Sequence, residues 1–206
     1  MRELSSIIFW GALWGIVEAT IGHFLHIWAL PIGWLIWFPL AYCFMWAAYR
    51  QTGQPAAIFF TALVASSIKL IDLFIPVRID FVINPAVSIL LEGLAVFTVC
   101  KIAVMQRGKT LVDLGPITIS SILWRVFYSS YVFFLPAALV KISPVNGAMP
   151  LVRFLLFEST VNSLLIYGVF KLLPKRRWGI EYLYFNPNPA LSLGMLLIAG
   201  FVQWRF

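Results

Sequence analysis

The chain has 206 residues, of which 62% are hydrophobic and 11% charged. A soluble domain is about half apolar and a quarter charged, so this balance excludes an ordinary soluble protein and marks an integral membrane protein. The net charge of +7 is no sign of nucleic acid: no basic stretch has interleaved aromatics, and most Lys and Arg fall in loops between apolar runs, as on the cytoplasmic side of membrane proteins.

At about 20 apolar residues per crossing, the length suits one all-α domain, residues 1–206, built as a polytopic membrane helix bundle of six to seven transmembrane helices. The first apolar segment covers about 5–30 and is too long for a cleavable signal peptide. Pro31 and Gly33 turn the chain into a second segment, about 34–49, which contains Pro39. Arg50 to Pro55 reads as a loop. The third segment covers about 56–75, and Pro76 to Pro85 form a connection holding Arg78 and Asp80. The fourth covers about 86–105, followed by a polar loop, Gln106 to Lys109. The fifth covers about 114–140, and the sixth, after a turn-rich loop, about 151–173. A last segment, about 190–202, spans the membrane or lies along its interface.

Charge sets the orientation. With a cytoplasmic N-terminus the inner loops hold Arg2, Arg50, Lys101, Arg107, Lys109, Lys171, Lys175, Arg176 and Arg177. The outer loops hold Arg78 and Lys141, with Arg205 added if the last segment spans. That is the positive-inside bias of a multi-pass cell-membrane protein, in a prokaryote the inner membrane.

Glu18, Glu92 and Glu158 each fall within an apolar run. A carboxylate near the bilayer centre costs about 3 kcal/mol on insertion scales, so intramembrane carboxylates mark functional sites by default. With depth assigned, His23 and His26 lie nearer the outer face than Glu18, while Lys69, Asp72, Glu92, Arg153, Glu158 and Asn162 fall between the midplane and the outer surface. Arg125 is midway along the fifth segment. Glu18, His23, His26, Lys69, Asp72, Glu92, Arg153, Glu158 and Asn162 are the candidate binding set; Arg125 stands outside it. Their mixed signs suit a small polar or zwitterionic solute, held in an outward-facing chamber, better than a bare cation.

Structural readings stand beside the functional ones. Lys69 and Asp72, three apart, can neutralise each other. Arg153 and Glu158, five apart, face different sides of an α-helix and so point to partners elsewhere. Any of the three glutamates can be a neutral residue bonded to a neighbouring helix. Whether a metal binds is open, no cofactor is expected, and bis-histidine haem is excluded because the two histidines share one helix. Cys43 and Cys100 lack metal or redox spacing and read as buried free thiols. No HExxH, GxSxG or phosphate-loop motif is present, so an enzyme is not expected.

Gly11, Gly15 and Ala19 form a small-residue stripe on the first helix. Such a stripe lets another helix approach closely, either within the chain or from a separate subunit. With this stripe, the size, the basic charge and the six or so helices, the chain resembles the substrate-binding S components of energy-coupling factor vitamin transporters. The resemblance implies a solute-capture subunit of an importer, with Gly11, Gly15 and Ala19 docking a coupling membrane subunit that works with ATPases. The alternatives are a self-sufficient proton-coupled or metal-ion transporter, an intramembrane enzyme, and a structural subunit whose charges are internal ion pairs.

Overall fold

The computed structural model describes residues 2–28, 32–105, 110–135, 147–172 and 187–205. The turn at Pro31, the polar loop 106–109, the expected end of the fifth segment at Val140 and the stretch 173–186 lie outside the described residues, as does the side chain of His26. Among the described residues all regular structure is helical.

Helix α1 covers Arg2–Ile27 and α2 covers Gly33–Thr52. The latter continues through Arg50 and Gln51, which the sequence assigns to a loop, because no glycine or proline follows Pro39 until Gly53. Gly53 ends it in the left-handed conformation (φ 70°), its N–H bonded to the Tyr49 carbonyl. Helix α3, Ala56–Lys69, tightens into a 3-10 turn over Leu70–Phe74. Helix α4 covers Asp80–Met105. It begins within the connection expected from Pro76 to Pro85, because Asp80 supplies a carboxylate at the positive helix N-terminus. Arg78 holds that carboxylate with two hydrogen bonds of 3.1 and 2.7 Å. Helix α5 covers Leu114–Phe133. Helix α6 starts at Ala148–Val152, passes through a π turn at Arg153–Phe157 and continues over Glu158–Leu172. Helix α7 covers Pro189–Arg205.

Six helices close a ring in the order α1, α3, α4, α5, α6, α2, with α2 also reaching across to α3 and α4. Side-chain contacts fix the directions. Trp10 near the start of α1 bonds Gln51 at the end of α2, and Ser66 of α3 bonds the Ala86 carbonyl of α4. Tyr131 near the end of α5 bonds Asn84 near the start of α4. Sequential neighbours are therefore antiparallel. Helix α7 stands outside the ring against α1. Its Ser192 bonds the Ser5 carbonyl, and its Gln203 reaches Asp72 beyond the end of α3, so α1, α3 and α7 run in one direction.

The core is aromatic and tightly filled: Trp14, Phe38, Tyr42, Met45, Trp124 and Phe154 belong to one buried cluster. Phe38 stacks on Trp124 at 5.5 Å, and Trp124 meets Phe154 edge-on at 5.6 Å. The Tyr42 hydroxyl donates to the Leu111 carbonyl at 2.7 Å. Tyr42→Phe leaves that buried carbonyl without its donor, and a loss of about 1 kcal/mol is expected in equilibrium unfolding of the detergent-solubilised protein.

The outside is the reverse of a soluble surface. Phe74, Met105, Phe133, Phe134, Leu172 and Phe201 are among the most exposed large side chains. Among the described residues, four helical stretches are long and apolar enough to cross a membrane: Arg2–Leu25, Ala56–Phe74, Asp80–Met105 and Ala148–Leu172.

Candidate functional site

The polar residues run from the bundle end at the C-terminal parts of α3 and α7, where Lys69, Asp72 and Gln203 lie, to the middle of α4 and α5, where Glu92 and Arg125 lie. They are linked from helix to helix. At the α3 end, Lys69 pairs with Asp72 at 2.8 Å, three residues on. The 3-10 turn presents Asp72 towards α7, where Gln203 donates to its second oxygen at 2.7 Å. Glu18, partly exposed on α1, lies within electrostatic reach of Lys69 and within hydrogen-bond reach of the Trp14 indole. Glu92 on α4 is buried and faces both Glu18 and Arg125. The Ser88 hydroxyl, one turn earlier, approaches it at 3.5 Å.

Arg125 is the centre of the array. It is 1% exposed, the most deeply enclosed charge among the described residues. One guanidinium nitrogen donates to the Ser121 carbonyl at 3.0 Å, and Nε has no partner. The group lies over the Trp124 ring at 4.6 Å and the Phe154 ring at 5.3 Å. Its charge is balanced at longer range by Glu92 and Glu158, with no direct ion pair to either. Further polar atoms on α5 and α6 are buried without partners: the Trp124 indole N–H, Asn162 Oδ1 and the hydroxyls of Ser120, Ser121 and Ser129. Asn162 uses its amide nitrogen to reach the Trp34 carbonyl at 3.1 Å. A buried polar group without a partner costs about 1–3 kcal/mol.

The sequence reading put Arg153 and Glu158 on different sides of their helix. The structure corrects this: Arg153 Nε is 3.6 Å from Glu158 Oε1. The cause is the π turn. The Glu158 N–H bonds the Arg153 carbonyl five residues back, which brings positions i and i+5 onto one face. Glu158 thus sits between an exposed guanidinium on Arg153 and the buried one on Arg125.

The set gathered here therefore contains Glu18, Lys69, Asp72, Glu92, Arg153, Glu158 and Asn162, joined by Arg125 and Gln203, which the candidate set lacked. Arg125 was visible as a lone cation in an apolar run. Gln203 carries no charge and gave no such signal. His23 is half-buried, with its ring near Phe24 at 6.3 Å. Among the described residues no three His, Cys, Asp or Glu side chains come together in a way that could hold a metal ion.

The two best-formed recesses lie elsewhere. One, of about 290 Å³, is an apolar groove between α3 and α7, with Val64, Ile68 and Leu196 in its wall. The other, of about 340 Å³, is at the opposite end of the bundle, beside Arg50, Cys100 and Thr110. Neither is lined by the charged array, which is packed shut in this structure.

The small-residue stripe is covered from within. A Cβ on Gly11 would lie 2.6 Å from Val64 Cβ, and one on Gly15 would lie 2.8 Å from Ile68 Cδ1, both on α3. Ala19 is buried as well. The stripe serves the α1–α3 contact, and a docking subunit would need another face. Comparison with protein-family models, with curated proteins and with solved structures gives no match to this chain.

Proposed function

We propose that this protein is a membrane-embedded solute-binding subunit of an importer. Its site is the polar layer around Arg125, Glu92 and Glu158, reached from the outer side. The observation that carries the reading is Arg125: a fully buried guanidinium with an unpartnered Nε, packed against Trp124, whose indole N–H is also unpartnered, as is the Asn162 carbonyl oxygen. A structural subunit held by internal ion pairs would close those valences, because buried charge is tolerated when paired and bonded.

Seven crossings with a cytoplasmic N-terminus are part of this reading. The parallel run of α1, α3 and α7 supports it, since alternate crossings share a direction, and 17 residues of α7 give about 25 Å of helix. The polar layer then falls in the outer half. Coupling to ATPases in other subunits remains part of the proposal, through a face other than the covered stripe.

Native mass spectrometry of the purified protein tests the binding function. A small molecule should travel with the wild-type chain and be lost from Arg125→Ala. A wild-type protein that stays empty even when purified rapidly from its native membrane would count against a capture role.

One observation favours a second reading. Glu92 lies within electrostatic reach of Glu18, and two carboxylates that interact are suited to sharing a cation, a proton included. A self-sufficient proton-coupled carrier would show uptake in liposomes driven by a pH gradient, with no other subunit present.

A further inference from the structure

The π turn in α6 does more than align Arg153 with Glu158. It carries Phe154, whose ring closes over Arg125 at 5.3 Å and meets Trp124 edge-on at 5.6 Å. Phe154 is buried, while the neighbouring side chains Leu156 and Phe157 are exposed. In an α-helix residues 153 and 158 would stand about 140° apart. The Arg153–Glu158 pair therefore exists only while the turn is π, and loss of the pair removes a contact specific to that form. At 3.6 Å, with 63% of the Arg153 side chain exposed, the pair is a loose one. Single π turns are rare and occur often at functional sites.

Beneath Phe154 two N–H donors stand on consecutive residues of α5, the Trp124 indole and Arg125 Nε, and neither has an acceptor. Two vacant donors, one of them cationic, call for an anionic oxygen acceptor. The flat rings of Trp124 and Phe154 favour an apolar, planar remainder.

We propose that the π turn is a lid over a carboxylate subsite: Phe154 is the cover, the Arg153–Glu158 pair is its latch, and the Trp124 and Arg125 N–H groups bind the carboxylate of an aromatic acid. This rests on the solute-binding reading above and adds a substrate class and a gate to it. Opening returns the turn to α register, separates Arg153 from Glu158 and lifts Phe154 off the guanidinium.

The test is arginine labelling with phenylglyoxal on the full chain in nanodiscs, located by peptide mass spectrometry. Wild-type Arg125 should label slowly and exposed Arg50 quickly. Arg153→Ala and Phe154→Ala should each raise the Arg125 rate about tenfold, as expected when a minor open state becomes a major one, with the Arg50 rate unchanged. In these opened variants benzoate should slow Arg125 labelling and benzamide should not. An Arg125 that stays protected in both folded variants overturns the lid. Equal protection by benzoate and benzamide, or none by either, overturns the carboxylate subsite. Arg153→Ala alters an exposed side chain, so it keeps the test open if Phe154→Ala fails to fold. The labelling rates need no native solute, so a failed lid is distinguishable from a failed capture function.

Discussion

Arg125→Ala is expected to lower stability by about 3–5 kcal/mol, the usual cost of removing one member of a buried charge group. The loss has two sources. Glu92 and Glu158, both buried, lose the cation that faces them across α5. The rings of Trp124 and Phe154 lose the guanidinium that packs against both, leaving a void in an otherwise filled core. The charge contribution can be separated from the packing contribution. Adding Glu158→Gln to Arg125→Ala should recover part of the loss, whereas Arg125→Met, which keeps much of the volume and no charge, should recover only the packing share. Arg125→Lys should not restore full stability, because an ammonium lacks the planar group that donates to the Ser121 carbonyl while packing against the Trp124 and Phe154 rings. Equilibrium unfolding in a mild detergent reads all four. If Arg125→Ala unfolds at the wild-type midpoint, the guanidinium is not the neutralising centre of the array.

The second large effect is expected at the contact between α1 and α3. Gly11→Ala would bring a Cβ to 2.6 Å from Val64 Cβ and 2.8 Å from the Thr61 carbonyl oxygen. The carbonyl belongs to helical backbone and cannot rotate away, so the helices must separate. A cost of about 1–3 kcal/mol follows from such overpacking. Gly93→Ala meets Ala62 Cβ at 2.4 Å across α3 and α4 and should behave alike. Gly168→Ala is the control: nothing lies within 4 Å of its Cβ, and removing a mid-helix glycine there should add about 0.5–1 kcal/mol. The same series separates the two roles open to the stripe. A surface kept for another subunit would accept Gly11→Ala in the isolated chain without loss, and a lowered unfolding midpoint for the isolated chain places its role in the chain's own fold.

Helix positions were legible in the sequence wherever apolar runs ended at glycine, proline or charge. They shifted where a local device intervened: Asp80 starts α4 ahead of Pro85, and α2 continues to Gly53 through three polar residues. The polar layer was legible because charge within an apolar run is conspicuous. Two parts were not. Periodicity at 3.6 residues separates Arg153 from Glu158, and no pattern of side chains announces the extra backbone residue of a π turn. The small-residue stripe showed that α1 is approached closely, yet the same three residues are written for a neighbour in the chain and for a foreign helix. Only the positions of Val64 and Ile68 decide between them.

The seating of α7 against α1 has a consequence for how the chain is made. Helix α1 is made before α7 and receives it as a neighbour through contacts such as Ser192 with Ser5, 187 positions apart. Until α7 is made, that flank of α1 is uncovered, and Asp72 lacks the Gln203 amide. A nascent chain stopped before residue 189 therefore carries an incomplete helix packing and a half-solvated carboxylate, the features by which partly folded intermediates become exposed to misassembly.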